Sequence, residues 1–464
     1  MNKVFASPAQ AIADIGDGAT ISIAGFSVGH RFATSLILAL RDKGTKNLCL
    51  VCNSLGDPGA LRGQILAENK QVKKLIAAFS VRPGTPTASE DQIAAGELQV
   101  ELVPQGILVE RCRAGGAGIP AFYSPTSVGT ALAEGREIRE FDGKPHVLEQ
   151  AIRVDYAFLR GSRADRLGNV QFRGGSLNFN PSFAKAARVA IVEVDEIVEP
   201  GAIPPELINL PGIFVSRVVK TTQTDDGKAW RRPERRPSDK PRLYNGKPGL
   251  TRAGIAERAA ALVKDGTYVN LGVGIPTMVS NYLQKRDVIL HAENGVLGYG
   301  EMVTGDKDID PDIYNAAGQF VSLKPGASFF DSVTSFEMAR GGRIDTVILG
   351  AYEVDQSGSL ANWSTADAKR GGIGGAMDLL SGQGELVIVM EHCDSKGRPK
   401  LRRKCTYPLT GKGCVNYIVT DLALLRWHDG QFVLDEVAPG FTPREVVELT
   451  EMEVVVGPDV RTME

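Results

Sequence analysis

One short pattern occurs twice along this chain, and the repetition constrains the fold more strongly than any other feature. Residues 153–168 begin with Arg-Val-Asp and continue with Leu, Asp and Gly, and residues 343–358 repeat this pattern with Arg-Ile-Asp and the same spacing. A second pair of segments, in which Asp-Gly leads into a strand-like run and a glycine-bearing loop, begins at residues 17 and 265. Two matches in the same order indicate a duplicated unit. We therefore predict two pseudo-symmetric domains, whose interface is a common place for a ligand site.

The segment between the two units has the composition of a linker. Residues 221–247 are dense in charged residues and proline and contain almost no aliphatic side chains, which is typical of a solvated connection. The whole chain has 464 residues, which is more than one hydrophobic core usually organises. We therefore place one domain at residues 1–220, the linker at 221–247 and the second domain at 248–464.

Both halves show the alternation that is typical of α/β proteins. Apolar runs rich in β-branched residues alternate with segments of helical spacing, as where residues 268–271 precede the amphipathic segment 276–283. Strands that alternate with helices form parallel sheets, because each helix returns the chain to the same edge of the sheet. The predicted fold class is therefore α/β, with a parallel sheet in each domain.

Composition and motifs argue against several classes of protein. A formal net charge of -2 does not favour a nucleic-acid partner, which usually requires a basic face. No apolar run approaches the roughly 20 residues of a membrane helix, and the N-terminus lacks the pattern of a signal peptide, so we expect a cytoplasmic protein without a membrane partner. The Cys49-x-x-Cys52 pair lies inside a strand-like run, and the other cysteines show no ligand spacing. We therefore expect buried thiols and no metal site.

The clearest candidate for a catalytic group is Glu293. An apolar run that begins at Ile289 ends in this carboxylate, and Asn-Gly follows at once. Ligands of open α/β sheets bind beyond the carboxyl ends of the strands, so Glu293 stands where a catalytic group belongs. A strand-end glutamate that caps a helix or faces water has the same local pattern, and the segment alone leaves both interpretations open. We predict that His291, on the same strand face, packs against or orients its neighbours rather than reacting.

Three glycine-rich loops are candidates for ligand contacts. Residues 271–276 run into a helix, so their N–H groups are placed to receive an anion or a thioester oxygen. This loop is not a dinucleotide fingerprint, because Ile-Pro follows its Gly-Val-Gly. Residues 370–375 hold the densest glycine cluster, which favours a backbone that faces a ligand, and residues 114–118 form a third loop. The sequence has no Gly-x-Ser-x-Gly nucleophile elbow and no His-Glu-x-x-His zinc motif.

An ordered series of motifs along nearly the whole chain resembles the family I coenzyme A transferases, in particular the fused form in which two subunits of other members are joined in one chain. The family-like segments lie at residues 104–126, 161–172, 179–201, 270–276, 292–300, 323–330, 358–363, 371–379 and 404–416. The resemblance implies a pair of α/β domains of the CoA-transferase type, with the active site between them. It also identifies Glu293 with the family's nucleophile.

By this resemblance, Glu293 attacks an acyl-CoA and then carries CoA as a covalent thioester. CoA is thus a substrate, and no tightly bound cofactor is expected. The other partners implied are small carboxylic acids, with succinyl-CoA and a 3-oxoacid such as acetoacetate as the leading pair. We also expect a homo-oligomer. The family's oxyanion and acyl-binding roles map to Gln105, Gly374, Gly375, Asn53 and Asn270, and CoA binding is expected at Gly272, Gly274 and Gly372.

A further glycine-bearing loop of the first half, at residues 24–31, departs from the family pattern, because it contains His30 and Arg31. These cations are candidates for binding a second carboxylate of the substrate, and a solvated helix start is the equal alternative. Three other functions stay open: transfer to a dicarboxylate such as 3-oxoadipate, hydrolysis of the acyl-CoA, and CoA binding without catalysis. The presence of Glu293 argues against the last, and the reaction products distinguish the others.

Overall fold

The computed structural model describes residues 1–26, 31–58, 61–81, 87–224, 240–303, 309–365, 371–382 and 384–463. The candidate residue His30 and residues 225–239 of the predicted linker lie outside these described residues. None of the described helices is both long and apolar enough to span a membrane.

The first half alternates strands and helices, as the sequence predicts. Its strands are Thr20–Ile23 (β1), Leu48–Cys52 (β2), Val72–Ala77 (β3), Gln99–Leu102 (β4), Ala121–Ser124 (β5), Ile138–Phe141 (β6), Lys144–Gln150 (β7), Val154–Asp165 (β8), Val170–Gln171 (β9), Ala187–Val198 (β10) and Arg217–Lys220 (β11). Its α-helices are Pro8–Ala11 (α1), Thr34–Lys43 (α2), Gln64–Glu68 (α3), Ala88–Ala94 (α4), Gln105–Gly116 (α5) and Asn180–Ala186 (α6). Short 3-10 helices occur at Ala131–Ala133, Gly174–Ser176, Pro205–Leu207 and Gly212–Phe214.

The second half continues the alternation and adds more strands. They are Leu243–Tyr244 (β12), Lys247–Pro248 (β13), Thr267–Leu271 (β14), Val288–Ala292 (β15), Val296–Met302 (β16), Val321–Phe329 (β17), Thr346–Leu349 (β18), Glu353–Asp355 (β19), Leu360–Ala361 (β20), Glu385–Val389 (β21), Leu401–Arg402 (β22), Tyr417–Val419 (β23), Ala423–His428 (β24), Gln431–Val437 (β25) and Val454–Thr462 (β26). The α-helices are Arg252–Ala260 (α7), Ile275–Met278 (α8), Ser280–Leu283 (α9), Ser332–Arg340 (α10), Ala376–Leu380 (α11) and Pro443–Glu448 (α12).

Each half is built around one large sheet. In the first, the order is β11-β10-β8-β1-β2-β3-β4, and all neighbours along this path are parallel. In the second, the order is β17-β16-β15-β14-β18-β21-β23-β24-β25-β26, with a parallel centre from β15 to β23. The prediction of an α/β fold with parallel sheets is confirmed for the first sheet and for the centre of the second.

Both flanks of the second sheet contain antiparallel strands, at β15-β16-β17 and at β23-β24-β25, which the sequence analysis did not predict; the edge pair β25-β26 is parallel. Short turns explain the difference, because a tight turn reverses the chain and leaves no room for a crossover helix. Asp429-Gly430 joins β24 to β25 with φ angles of 48° and 82°, and positive φ at both turn residues is typical of a type I′ hairpin. A turn at residues 293–295 similarly joins β15 to the antiparallel β16.

The repeated sequence pattern occupies equivalent positions in the two sheets. The strand β8 lies between β10 and β1, and β18 lies between β21 and β14. In the first copy, the Asp155 carboxylate accepts a hydrogen bond from the Thr20 N–H at 2.9 Å. In the second copy, Asp345 accepts one from the Tyr268 N–H at 2.8 Å. The same residue type therefore satisfies the same backbone donor at the start of β1 and of β14, which accounts for the recurrence.

The two halves share a hydrophobic core and an ionic seam. The largest cluster of buried apolar side chains contains residues of both halves. At the seam, Arg31 of the first half binds Asp312 of the second through two hydrogen bonds, of which the one from Nη2 to Oδ2 measures 2.8 Å. Arg173 of the first half pairs with Asp310 and Asp312 of the second. Charged and apolar contacts thus hold the halves against each other.

Candidate active site

The backbone places Glu293 at the carboxyl end of the buried strand β15. Glu293 begins the turn into β16, and Gly295 in this turn has a φ of 108°. A Cβ at Gly295 would overlap the Phe330 carbonyl oxygen, so only glycine fits this turn. The Glu293 side chain is half-buried, and its Oε2 atom has no hydrogen-bond partner among the described residues. An unpartnered carboxylate oxygen at this edge of the sheet is placed to react with a ligand.

Burial sets the ionisation of this carboxylate. It raises the pKa of Glu293 from 4.5 to about 6, although hydrogen bonds from the backbone N–H of Glu293 itself and from the Asn270 side chain act in the opposite direction. At pH 7 about nine in ten molecules therefore still hold the ionised form. A carboxylate with a raised pKa is more basic than an ordinary one and is available as a nucleophile at neutral pH.

A buried chain of hydrogen bonds lies beside Glu293, around His291 of β15. The Asn270 amide nitrogen donates to His291 Nδ1 at 3.0 Å, and His291 Nε2 lies 3.0 Å from Ser335 Oγ. Burial lowers the pKa of His291 to about 4, so the ring is neutral at pH 7. Because Nδ1 accepts from Asn270, Nε2 carries the proton and donates to Ser335. This arrangement supports the predicted orienting role of His291.

The first half contributes Gln105, the first residue of α5. Its Nε2 atom donates to the Asn53 side-chain oxygen at 2.9 Å, which uses one of the two amide hydrogens. Its Oε1 atom is buried and has no partner among the described residues. Its backbone N–H donates to the Gly374 carbonyl oxygen at 2.9 Å. The structure therefore brings together Gln105, Asn53 and Gly374, which the sequence analysis proposed for one site.

The glycine cluster of the second half pairs directly with the end of β3. The Ser80 N–H donates to the Gly371 oxygen at 3.0 Å, and a Cβ at Gly372 would lie 2.7 Å from the Phe79 ring. A Cβ at Gly375 would lie 2.8 Å from Phe336. Close packing therefore already requires small residues at Gly372 and Gly375, and a ligand contact of this cluster stays a prediction.

Within that cluster, the backbone N–H groups of the two glycines assigned to oxyanion binding are weakly bonded or lie at the start of a helix, so they can still donate to a ligand. The Gly374 N–H reaches the Ala78 oxygen only at 3.5 Å, and Gly375 immediately precedes α11, whose first N–H groups have no intrahelical acceptor. The Gly372 N–H instead donates to the Trp363 oxygen at 3.0 Å, so this donor is occupied. A CoA contact at Gly372 would have to use another atom.

Helix α10 connects the Glu293 group to the Gln105 group. Ser335 on this helix binds His291, and the next residue, Phe336, packs against Gly375. Sequence reasoning did not identify this helix, because neither residue carries a chemical motif. The two parts of the site are therefore fixed to consecutive positions of one rigid element.

The loop after β14 opens at the same edge of the sheet as Glu293. The Gly272 N–H donates to the Ile348 oxygen at 2.9 Å, whereas Gly274 has a φ of 100° and open space around its Cβ position. Val273 between them is 64% exposed. An apolar side chain that faces solvent beside a candidate active site is compatible with the predicted CoA contact at this loop.

Arg31 does not face the cleft as a free cation, and this part of the sequence analysis is corrected. Its guanidinium binds the Asp312 and Asp195 carboxylates of the protein itself, and its side chain is only 14% exposed. Although burial disfavours the charged form, these two carboxylates raise the pKa of Arg31 above its usual range. Arg31 is thus neither a solvated helix start nor a free receptor for a substrate carboxylate. His30 lies outside the described residues.

Among the described residues, no group of three or more His, Cys, Asp or Glu side chains is arranged to hold a metal ion. The cysteines of the Cys49-x-x-Cys52 pair are free, and burial raises both of their pKa values, that of Cys52 to about 12. These thiols are therefore protonated at neutral pH and are poor ligands.

Comparison with known proteins assigns this geometry to a family. The family model described as Coenzyme A transferase matches residues 5–221 and 253–449. Human succinyl-CoA:3-ketoacid coenzyme A transferase 2, mitochondrial, is 42% identical over 484 residues, which cover 100% of this chain and 92% of the human protein. Succinyl-CoA:3-ketoacid coenzyme A transferase 2A, mitochondrial, of Rattus norvegicus is 41% identical over 483 residues, which cover 100% of this chain and 91% of the rat protein.

Solved structures support the fold. The crystal structure of an acyl-CoA transferase from Escherichia coli O157:H7 superimposes with a TM-score of 0.81 and covers 100% of this chain and 95% of the bacterial chain. The sequence identity is 22%, so this likeness bears on architecture alone. The α/β architecture predicted from the motifs is confirmed.

Proposed function

Because this chain belongs to the coenzyme A transferase family and is a CoA transferase, we propose that it moves CoA between carboxylic acids through a thioester on Glu293. One observation carries the assignment of the nucleophile. Glu293 Oε2 is a buried carboxylate oxygen without a hydrogen-bond partner among the described residues, at the strand end where α/β sheets bind ligands. A carboxylate held only for stability would have both oxygens satisfied.

The reaction consists of balanced acyl transfers. The Glu293 carboxylate attacks the thioester carbonyl of the acyl-CoA, and the carbon–sulfur bond breaks to give a mixed anhydride and the CoA thiolate. The thiolate attacks the Glu293 carbonyl carbon of this anhydride, releases the first carboxylate and leaves CoA on Glu293. A second carboxylate then reverses both steps and departs as the new acyl-CoA. Covalent catalysis of this kind divides one difficult exchange into easier ones.

Each transfer passes through a tetrahedral oxyanion that needs hydrogen-bond donors. The second amide hydrogen of Gln105 Nε2, which has no acceptor among the described residues, and the N–H groups of Gly374 and Gly375 are the candidates, since each lies in the part of the site next to α10. Loss of one such donor typically lowers the rate by about a hundredfold to a thousandfold. Asn270 acts on the other reactant, because its hydrogen bond favours the ionised form of Glu293.

The proposed substrates are succinyl-CoA and a 3-oxoacid. The support is the full-length similarity to proteins named succinyl-CoA:3-ketoacid coenzyme A transferases. The alternative acceptor, a second dicarboxylate, loses its structural motivation, because Arg31 is already bound by two carboxylates of the protein. Hydrolysis is distinguished by its product, which is free CoA formed at the rate of acyl-CoA loss.

The test begins with succinyl-CoA and no acceptor. We expect the intact mass of the protein to increase by the mass of CoA minus one water, and borohydride reduction followed by peptide mapping to place the modification on Glu293. Glu293→Ala should abolish both the adduct and transfer, whereas Glu301→Ala, which removes an exposed acid on β16, should leave both intact. Absence of an adduct on Glu293 in an active preparation would contradict the mechanism.

A panel of acceptors then tests the substrate assignment. Acetoacetate, 3-oxoadipate, acetate and water compete for the labelled enzyme, and the new acyl-CoA species are identified by mass. Preference for acetoacetate supports the proposal, preference for 3-oxoadipate assigns a dicarboxylate transferase, and release of free CoA at the full rate assigns a hydrolase. Parallel double-reciprocal lines are expected for transfer through one covalent intermediate.

A further inference from the structure

The residue Asp378 on α11 makes a buried connection between the two halves that the mechanism above does not use. Its side chain is fully buried, and its Oδ2 atom accepts the Gly106 N–H of α5 at 2.8 Å. Its Oδ1 atom lies 3.1 Å from Arg340 Nη1 and accepts the Thr126 hydroxyl at 3.4 Å. Three donors from three different segments therefore converge on one carboxylate.

The position of this carboxylate couples it to the candidate oxyanion donors. Gly106 directly follows Gln105. A Cβ at Gly106 would overlap the Asp378 carboxylate, so the backbone of α5 is in direct contact with this side chain of α11. On α11, Asp378 lies three residues after Gly375. The Gln105 N–H also donates to the Gly374 oxygen, so a second hydrogen bond joins the start of α5 to the residues just before α11. Asp378 thus fixes the start of α5 against the glycine cluster.

The Arg340 contact extends the connection to the Glu293 side of the site. Arg340 is the last residue of α10, the helix whose Ser335 binds His291 and whose Phe336 packs against Gly375. Its side chain is 14% exposed and is also 3.6 Å from Glu110 of α5. One carboxylate therefore contacts α5 and α10 from its place on α11.

We propose that Asp378 is a positioning residue that holds the Gln105 side-chain amide in place beside the Gly374–Gly375 backbone of the oxyanion site. The inference rests on the proposed function, since it assigns those donors to the tetrahedral intermediates. Asp378 touches neither substrate nor Glu293, and it acts through Gln105. Catalytic donors must be held to within a fraction of an ångström of their working geometry, and a hydrogen-bonded buried carboxylate between rigid helices supplies such a constraint.

Asp378→Asn removes this constraint with the smallest change of shape. Both carboxylate oxygens accept hydrogen bonds, so the amide that replaces them must turn its NH2 group toward either the Gly106 N–H or Arg340. Either choice places a donor against a donor. We expect kcat to fall by about tenfold to a hundredfold, less than the loss typical for removal of an oxyanion donor itself, with KM for the acyl-CoA within about threefold of wild type.

A matched control separates positioning from general loss of stability. Asp421 is also a buried aspartate of the second half, and it accepts the His392 N–H at 2.7 Å and the Tyr244 hydroxyl at 2.8 Å. It follows β23, which is four strands away from β15 in the sheet. Asp421→Asn should lower the melting temperature comparably and leave kcat within about twofold.

A double-mutant cycle provides the decisive measurement. If Asp378 acts through Gln105, then Asp378→Asn should lower kcat by less than about threefold in a Gln105→Ala background. An equal fold-loss in both backgrounds, or a matching loss of kcat in Asp421→Asn, would overturn the proposal. Should Asp378→Asn not fold, Thr126→Val removes one donor to the same carboxylate, and its effect on kcat should likewise disappear in Gln105→Ala.

The adduct on Glu293 separates this inference from the proposed function. Wild-type protein that is active without forming the adduct contradicts the mechanism itself. Formation of the adduct at the wild-type rate by Asp378→Asn contradicts the positioning role and leaves the mechanism intact. Slowed adduct formation with unchanged acyl-CoA affinity is the result expected.

Discussion

Replacing Asn270 by alanine is expected to shift the pH dependence of thioester formation rather than to lower the rate at every pH. Burial raises the pKa of Glu293 to about 6, and the hydrogen bond from the Asn270 side chain opposes this rise. Loss of that donor makes the ionised carboxylate less stable. The pKa of Glu293 should therefore rise further in Asn270→Ala, and the acidic limb of the rate profile should move to higher pH.

The size of the shift follows from the strength of one hydrogen bond. Hydrogen bonds to charged groups contribute about 1.5 to 3 kcal/mol, and one pKa unit corresponds to about 1.4 kcal/mol. The backbone N–H of Glu293 remains as a donor, so we take the lower limit of about one unit. With a pKa near 7, about one tenth of the carboxylate is ionised at pH 6, compared with about half in the wild type. The rate should be about fivefold lower at pH 6 and nearly unchanged at about pH 8.5.

The assay is rapid mixing with succinyl-CoA in the absence of acceptor, followed by acid quench and intact mass measurement across this pH range. Asn416→Ala is a suitable control, because Asn416 accepts a backbone hydrogen bond from Leu386 at 2.7 Å just before β23 and does not contact Glu293. The control should keep the wild-type profile. If the rate of thioester formation in Asn270→Ala is lowered by the same factor at both ends of the pH range, an effect through the ionisation of Glu293 is refuted.

Three further predictions concern stability and specificity. Glu293→Gln should raise the free energy of unfolding at pH 7 by up to about 2 kcal/mol. The reason is that the raised pKa of Glu293 in the folded state lowers the stability of the wild type as pH rises from about 4.5 through 6. In urea melts, the stability difference between variant and wild type should vanish below about pH 4.5. Gly295→Ala should lower the free energy of unfolding by more than about 3 kcal/mol and remove activity, because the new Cβ overlaps the Phe330 carbonyl oxygen. Gly326→Ala is the control: its φ is 87° but its Cβ position is open, so the loss in the same melts should be about 1 kcal/mol. Arg31→Ala should lower the melting temperature and reduce kcat/KM equally for succinate and acetate; a selective loss for succinate would restore the specificity hypothesis.

Local patterns predicted the strand-end position of Glu293 and identified the glycine that follows Asn294. Both depend on a few neighbouring residues, whose periodicity and turn chemistry are visible in the sequence. The repeated pattern also predicted equivalent strands, because Asp155 and Asp345 satisfy the same type of backbone donor in both copies. The assignment of oxyanion roles to Gln105 and Gly374 came from family resemblance, and no local pattern would have paired them.

Contacts between distant segments were beyond the sequence analysis. Arg31 and Asp312 are 281 positions apart, and Gly106 and Asp378 are 272 apart. A charged residue beside a glycine loop has the same local pattern whether it faces a substrate or a carboxylate of the other half. Arg31 was therefore predicted as a receptor or a solvated helix start, although the approach of the two halves gives it partners within the protein. The close packing of the dense glycine cluster was missed for the same reason, since the ring of Phe79 that leaves no room for a side chain at Gly372 comes from the other half.

Buried polar atoms without a hydrogen-bond partner are candidates for contact with a ligand. A buried donor or acceptor without a partner costs about 1 to 3 kcal/mol, so stable proteins keep few of them. Such atoms occur at several places among the described residues, and four of them belong to residues of the site or next to it: Gln105 Oε1, Asn270 Oδ1, Glu293 Oε2 and Asn294 Oδ1. Asn270 lowers the pKa of Glu293, Asn294 follows Glu293 in the chain, and Gln105 lies next to Gly375, which packs against Phe336 of α10. Because the carboxylate and thioester groups of the substrates carry no donors, these acceptor oxygens cannot hydrogen-bond to them. Of the four, only Glu293 Oε2 belongs to a carboxylate, and it is therefore the one that can act as a nucleophile.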